Sequence, residues 1–332
     1  CLVAKFANTM NQAYASPKAP IRMQSYARIV GPSNTRVNVY KPAPLATTAE
    51  DYGATFVCNV GSKLVRYWPG FSIFVHDPEK DIISGAVAAN GNWEIQNEHQ
   101  LLGLHQRLEG HHNLSFLDIG ANIGTLALFF AHNGYNTVAV EPLLYNAELQ
   151  LASASLSKFD HLYTLVHGAV SDKPADDVCM YSAEDEWQLR NAGNGQLHMN
   201  VSDCSDIPGG LPKERVPIVT LDSVLSRSDR TSTQCFGTVK CDVEGFELAA
   251  LRGAYNTLFD NPSCDRPCNI LFEFTREFSH ISNVADKDLF EFLQQLGYEF
   301  FSSKMLKVSL EDASSNTGDY FAILTNDRRC KL

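Results

Sequence analysis

The sequence predicts an α/β protein built on a doubly wound, mostly parallel seven-strand sheet, with a small β-rich layer added on its N-terminal side. Two observations carry this. From Leu114 onward, short apolar runs of strand character alternate with amphipathic stretches of helical period, which specifies a parallel sheet covered by helices. The first of those runs also opens directly into Gly120-Ala121-Asn122-Ile123-Gly124 ahead of a helix, the strand-turn-helix grammar of nucleotide-binding sheets.

Taken in order, residues 1 to about 50 carry Pro17, Pro20, Pro32, Pro42 and Pro44 with few periodic apolar residues and read as an irregular lead-in. Residues 51–110 read as an accessory piece. Thr55–Val60, Leu64–Trp68 and Phe71–His76 form a small antiparallel meander, split by Gly61-Ser62 and Pro69-Gly70, and Trp93–Leu108 is a linking helix. Residues 111–332 make the main domain. Its strand runs are Leu114–Ile119, Thr137–Val140, Tyr163–His167, Val216–Leu221, Gly237–Cys241, Asn269–Phe274, Glu299–Ser302 and Tyr320–Leu324, one more than the sheet's seven, with Gly237–Cys241 counted as the fourth strand of the sheet. Helices are expected at Gly124–Asn133, Tyr145–Leu156, Phe246–Leu258 and Asp286–Leu296. The last two strands, joined only by a loop, suggest an antiparallel hairpin at one sheet edge. A polar, glycine-rich stretch at about 183–213 interrupts the rhythm as an insertion.

Hydrophobic residues make up 44% and charged residues 20% of the 332, ordinary values for a globular chain. The formal charge of -11 argues against nucleic acid as a partner, because backbone phosphates are bound by clustered Lys and Arg. No apolar run of membrane-spanning length occurs, and the start at Cys1 reads as a processed or truncated terminus. Nine scattered cysteines are not a small disulfide framework and are expected to be reduced thiols of a cytoplasmic protein. A local Cys264–Cys268 disulfide is the alternative if the chain enters a secretory lumen. The oligomeric state is not legible.

The site is expected at the strand ends. Asp118 closes the first strand, glycines at 120 and 124 let backbone approach a ligand and the helix meet the strand, and Ala121 and Asn122 lie between them. No third glycine follows at the pyrophosphate spacing, which argues against a dinucleotide-dependent oxidoreductase. About twenty residues later Glu141-Pro142 ends the second strand, where a carboxylate accepts hydrogen bonds from ribose hydroxyls or caps the following helix. Asp172 follows the third strand, placed either to accept an adenine amino group or to close a turn on its own backbone. Asp242, Glu244 and Glu247 surround Gly245 after the fourth strand. There a carboxylate serves as general base, or Asp242 holds a ligand ammonium while the glutamates favour a helix N-terminus. His280 is the alternative base. Lys240 would pair with a carboxylate. Asp242, Glu244 and Glu273 offer the oxygen ligands that Mg²⁺ prefers, although nothing requires a metal and no His/Cys spacing supports zinc.

The segments Phe116–Gly124, Val140-Glu141-Pro142, Gly168–Asp172, Val219–Asp222 and Val239–Glu247, with Leu251–Ala254 and Ile270–Phe274 after them, occur in an order that resembles the FkbM family of class I methyltransferases. The resemblance runs from about residue 70 to 325. It implies a Rossmann-like fold, S-adenosylmethionine as cofactor and a hydroxyl on a sugar, polyketide-like or other small molecule as methyl acceptor. Asp118, Gly120, Ala121, Asn122, Gly124, Glu141, Pro142, Asp172 and Asp242 would then hold the cofactor. The acceptor would lie between the Asp242–Glu247 segment, Glu273 and the loops at 183–213 and 276–284, with Trp187, Arg190 and His198 available to contact it. A binding module that keeps the fold without turnover is the competing reading, and the retained carboxylates after the fourth strand speak against it.

Overall fold

The computed structural model describes residues 24–30, 36–41, 62–68, 70–183, 191, 193, 195–198, 204, 210–225, 234–279 and 285–330. Two hairpins come first: β1 (Gln24–Val30) with β2 (Arg36–Lys41), and β3 (Lys63–Tyr67) with β4 (Phe71–Val75). Helices α1 (Ile82–Asn90) and α2 (Ile95–Gln106) lead into the alternation of β5 (Ser115–Ile119), α3 (Thr125–His132), β6 (Thr137–Glu141), α4 (Leu144–Leu156) and β7 (Tyr163–His167). Then follow β8 (Ala169–Val170), β9 (Ala175–Ala183), β10 (Gln196–His198), β11 (Gly210–Val219) and α5 (Leu221–Leu225). The chain continues through β12 (Phe236–Cys241), α6 (Glu247–Arg252), α7 (Tyr255–Leu258), β13 (Asn269–Phe274), α8 (Arg276–Ser279) and α9 (Asp288–Gln295). It ends with β14 (Glu299–Ser302), β15 (Lys307–Val308), α10 (Leu310–Ser314) and β16 (Gly318–Ile323).

The large sheet has the order β1-β2-β7-β6-β5-β12-β13-β16-β14-β15. β7, β6, β5, β12 and β13 are mutually parallel, and β16 runs antiparallel to both of its neighbours. Side chains alternate with the strand period: Leu117, Ile119, Val138 and Val140 pack with Leu248, Leu251 and Phe290. Phe116, Ala139, Tyr163 and Leu165 turn the other way against Leu101, Leu128 and Leu151. Both faces of its central strands are therefore buried under helices, the doubly wound α/β class expected, but the sheet has ten strands rather than seven and is mixed, since β1, β2, β14, β15 and β16 pair antiparallel.

Several expected elements differ. The lead-in expected to be irregular contains β1 and β2, and β2 extends the sheet by pairing antiparallel with β7. Thr55–Val60 lies outside the described residues. Helix α1 was not expected because its run of small residues has no polar face. Its boundary signals are nevertheless present: Asp81 accepts the Ser84 N–H at 2.8 Å, and Gly91 closes the helix in the left-handed region at φ 76°. Val216–Leu221 leaves the large sheet; β11 forms a separate four-stranded sheet, β10-β9-β11-β8. The two C-terminal strands pair antiparallel at one side of the sheet as expected, β16 against β14, but β15 and α10 lie between them in the chain and β15 takes the edge itself. The helix expected over Phe246–Leu258 breaks at Gly253, where a Cβ would stand 2.1 Å from the Ser171 carbonyl oxygen.

The cysteine expectation is overturned. Disulfides join Cys179 to Cys204, Cys235 to Cys264 and Cys268 to Cys330. The local Cys264–Cys268 pair does not form because Cys268 sits at the mouth of β13, buried with Leu108 and Cys330, while Cys264 stays in the preceding loop. Cys241 is a free, buried thiol. No helix among the described residues is long and apolar enough to cross a membrane.

Candidate active site

The glycine-rich turn after β5 takes three left-handed residues: Gly120 at φ 80°, Asn122 at 52° and Gly124 at 84°. Asn tolerates this region better than most side chains. A Cβ on Gly120 would lie 1.7 Å from the Asp242 carbonyl oxygen. Gly120 thus clears space for the neighbouring strand's backbone rather than for a ligand, a correction to the expectation. Gly124 meets the Gln150 side chain and the Tyr163 hydroxyl. That pair is structural: Tyr163 donates to Gln150 at 2.7 Å, and the Gln150 amide donates to the Asn122 carbonyl at 2.5 Å.

This turn forms one wall of a cavity of about 410 Å³ at the C-terminal ends of β5, β6, β12 and β13. Asp118, Gly120, Ala121, Asn122, Glu141, Pro142, Asp242 and Glu244 all line it. Gly124 does not line it. Asp172 is exposed, does not line the cavity and accepts the Ser171 hydroxyl at 3.3 Å. His280, Trp187, Arg190 and the His198 side chain lie outside the described residues.

Glu141 is 3% exposed and accepts three hydrogen bonds: from the Asn122 N–H at 2.8 Å, the Leu143 N–H at 2.9 Å and the Asn146 amide at 3.1 Å. Burial outweighs those donors and pushes its carboxyl up to about 8. Asn146 in turn donates to the Gly193 carbonyl at 2.7 Å, and the Gly193 N–H donates to Asp81 at 3.0 Å. Gly193 is thereby pinned at the cavity, and Asn191, Gly193 and Gly195 line it.

At the other end Lys240 projects from β12. Its ammonium donates to the Gly120 carbonyl at 2.8 Å and pairs with Asp242 at 3.1 Å and Asp118 at 3.7 Å. Burial alone would lower the lysine pKa, but Asp242 and Asp118 outweigh it and hold the ammonium charged beyond the usual range. Asp118 is 1% exposed, and burial pushes it up to about 6. Burial together with the Asp242 and Glu244 charges pushes Glu273, at the end of β13, up to about 9, so it is protonated at neutral pH. Glu244 stands at φ 53° and Gly245 at φ 94°, where a Cβ would be 2.4 Å from the Phe278 carbonyl oxygen. Glu247 does not join the cluster at the cavity. Its carboxylate turns back to accept the Val243 and Gly245 N–H groups at 3.0 and 3.1 Å, fixing the loop.

Helix α2 supplies residues that the sequence reading missed. Glu94, Asn97 and Glu98 line the cavity, and Asn97 donates to Asp319 on β16 at 2.9 Å. Burial pushes Glu94 up to about 7 and Glu98 to about 8. A signal for Glu98 existed, since it shares the helix face of buried Leu101, Leu102 and His105. Among the described residues, no group of three or more His, Cys, Asp or Glu could hold a metal ion.

Residues 118–300 match a family model described as the methyltransferase FkbM domain. No curated protein matches the chain. Solved structures that resemble it include an O-methyltransferase from Bacillus cereus in complex with S-adenosylhomocysteine, 11% identical at TM-score 0.38, covering 72% of this chain and 85% of that one. A TehB-like S-adenosylmethionine-dependent methyltransferase from Corynebacterium glutamicum is 12% identical at TM-score 0.36, over 72% and 91% of the two chains. A tRNA (uracil-54, C5)-methyltransferase from Pyrococcus abyssi is 11% identical at TM-score 0.34, over 85% and 48%.

Proposed function

Because the chain belongs to the FkbM methyltransferase family, we propose that it transfers the methyl group of S-adenosylmethionine to a hydroxyl on a small molecule of sugar, polyketide-like or similar character. The observation that supports this best is one cavity with two chemically distinct ends. One end has Glu141 and the turn after β5; the other gathers Asp242, Glu244 and Glu273. Its volume of about 410 Å³ suits a small-molecule site.

The residues present fit the cofactor. Both oxygens of Asp118 are buried without a hydrogen-bond partner, and a buried acceptor calls for a donor. Asp118 would meet the amino acid part, Glu141 the ribose hydroxyls, and Leu143, Val170 and Leu197 would wall the adenine. Glu141 would do so as a group already oriented by three protein donors. Once bound, the cofactor supplies an activated methyl group; the chain supplies alignment, exclusion of water and a place for the proton.

Glu244 is the proposed proton acceptor. Asp242 is engaged by the Lys240 ammonium, and Glu273 carries its own proton at neutral pH, which suits it to donate a hydrogen bond rather than to act as base. As the acceptor hydroxyl takes the methyl group, its proton passes to the Glu244 carboxylate. Thr275 and Phe278 at the head of α8 line the same end and would face the acceptor. The three disulfides support an oxidising compartment, a secretory lumen or the exterior, in place of the cytoplasm.

Calorimetry with S-adenosylhomocysteine, followed by transfer of labelled methyl to a panel of sugars, polyketide-like alcohols and phenols, tests the proposal. Tight NAD binding without S-adenosylhomocysteine binding would sink the cofactor reading. Cofactor binding with transfer only to amines or carbon would sink the hydroxyl reading.

A further inference from the structure

Three buried carboxylate oxygens around the cavity have no hydrogen-bond partner among the described residues: Oδ1 and Oδ2 of Asp118, and Oε2 of Glu98. Both residues line the cavity, at 1% and 2% exposure, from two different elements, β5 and α2. The other Glu98 oxygen accepts the Tyr67 hydroxyl at 2.5 Å, which fixes the plane of the carboxylate. Lys240 reaches Asp118 only as an ion pair and leaves the Glu98 oxygen unmet. It is committed to Gly120 and Asp242, and at 3.7 Å from Asp118 it stands beyond hydrogen-bond range.

We propose that Glu98 and Asp118 together form a two-carboxylate clamp for a primary ammonium group, that of the methionyl part of the cofactor. The inference rests on the cofactor reading above and adds a residue outside the matched segment 118–300. An ammonium carries three donors and a full charge, so it can satisfy carboxylates on two walls at once. Asp242, the ammonium ligand considered from the sequence, already has a cation at 3.1 Å and is the poorer choice.

The clamp has a proton signature. Burial first, then the Glu94 and Asp118 charges, push Glu98 up to about 8 against the lowering effect of the Tyr67 hydrogen bond. Without a cation between them Glu98 holds a proton at pH 7; an arriving ammonium favours the charged carboxylate, and the Glu98 proton passes to solvent.

The test is calorimetry at pH 7 in two buffers of different ionisation enthalpy. The probes are S-adenosylhomocysteine and its analogue lacking the α-amino group. The native protein should bind the amine at least about tenfold more tightly, as a charge-assisted hydrogen bond implies, and release most of a proton on doing so. Glu98→Gln, which keeps an acceptor for Tyr67, should erase most of that discrimination and the proton release. Tyr67→Phe removes the hydroxyl but leaves the carboxylate, and should keep the discrimination. The clamp is refuted if Glu98→Gln keeps the full preference for the amine, or if it weakens both probes equally, as a merely structural glutamate would. A native protein that binds neither probe would overturn the cofactor reading itself, and the clamp with it.

Discussion

Replacing Lys240 with methionine keeps a long apolar stem in the wall between β5 and β13 and removes the cation 3.1 Å from Asp242 and 3.7 Å from Asp118. In the native protein, burial pushes Asp118 up to about 6, and Lys240 holds it below the value that burial alone would set. An unfolded aspartate titrates near 3.8, so the folded state binds this proton more tightly. The Asp118 contribution to stability therefore falls as pH rises from about 4 to about 6, by about 3 kcal/mol at about 1.4 kcal/mol per unit, and is level above that. Without Lys240 the folded carboxyl titrates higher still, and the fall continues past pH 6. Lys240→Met should then lose up to about 3 kcal/mol more at pH 8 than at pH 6, consistent with the roughly 3–5 kcal/mol that follows loss of one member of a buried pair. Urea unfolding at the two pH values, with equal slopes for both proteins, reads this directly. A deficit independent of pH, or larger at pH 6, would refute the assignment of Lys240 as the charge that keeps Asp118 ionised.

Glu244→Gln should lower turnover by about 10²–10⁴-fold with S-adenosylhomocysteine affinity unchanged, and Asp242→Asn should also lower turnover. If both keep full rate across pH in a methyl-transfer assay, the base lies elsewhere and His280→Ala is the next variant. Glu141→Ala should weaken S-adenosylhomocysteine binding by about 1.5–3 kcal/mol in calorimetry, and unchanged affinity would remove Glu141 from the ribose role. The Cys268–Cys330 bridge spans 62 residues, for which chain entropy gives about 4 kcal/mol. The Cys268→Ser, Cys330→Ser double variant should lose a comparable amount in urea unfolding; a loss below about 1 kcal/mol would contradict the bridge's stabilising role.

The parts of this molecule that local chemistry dictates were readable before the fold was known. β5, β6, β7, β12 and β13 are short apolar runs closed by polar punctuation, and the period of burial on both faces follows from the pattern. The acids at their ends, Asp118, Glu141 and Asp242, come together because parallel strands present all their C-terminal ends on one edge. What was hidden depended on distant partners. Gly120 looks like a ligand-clearing glycine in sequence, yet its reason is the carbonyl of Asp242, far along the chain. Cysteine spacing read as reduced thiols, with a Cys264–Cys268 bridge only as the alternative, whereas pairing was decided by which thiol the strand entry buries. Asp172 and Glu247 carry the right functional groups, but one points to solvent and the other to its own loop.

Asn146 shows why the insertion could not be understood from its own composition. The residue is 1% exposed on α4, and its amide donates both to Glu141 and to the Gly193 carbonyl, while its side-chain oxygen meets His76 Nε2 at 2.7 Å. The position of Gly193 is thus set by the same side chain that orients the acid expected to hold the ribose. Asp81, the cap of α1, grips Gly193 from the other side, so the N-terminal helix, the insertion and the second strand share one hydrogen-bond network. Buried amides and carboxylates must be satisfied, and each here satisfies another. A change in how Glu141 is bonded on ligand binding must therefore be felt at Gly193. A Cβ at this glycine would lie 2.7 Å from the Asn122 side-chain oxygen, so that side chain would have to shift to admit one. Within the polar, glycine-rich insertion, Gly193 is therefore held from both sides at the wall of the cavity.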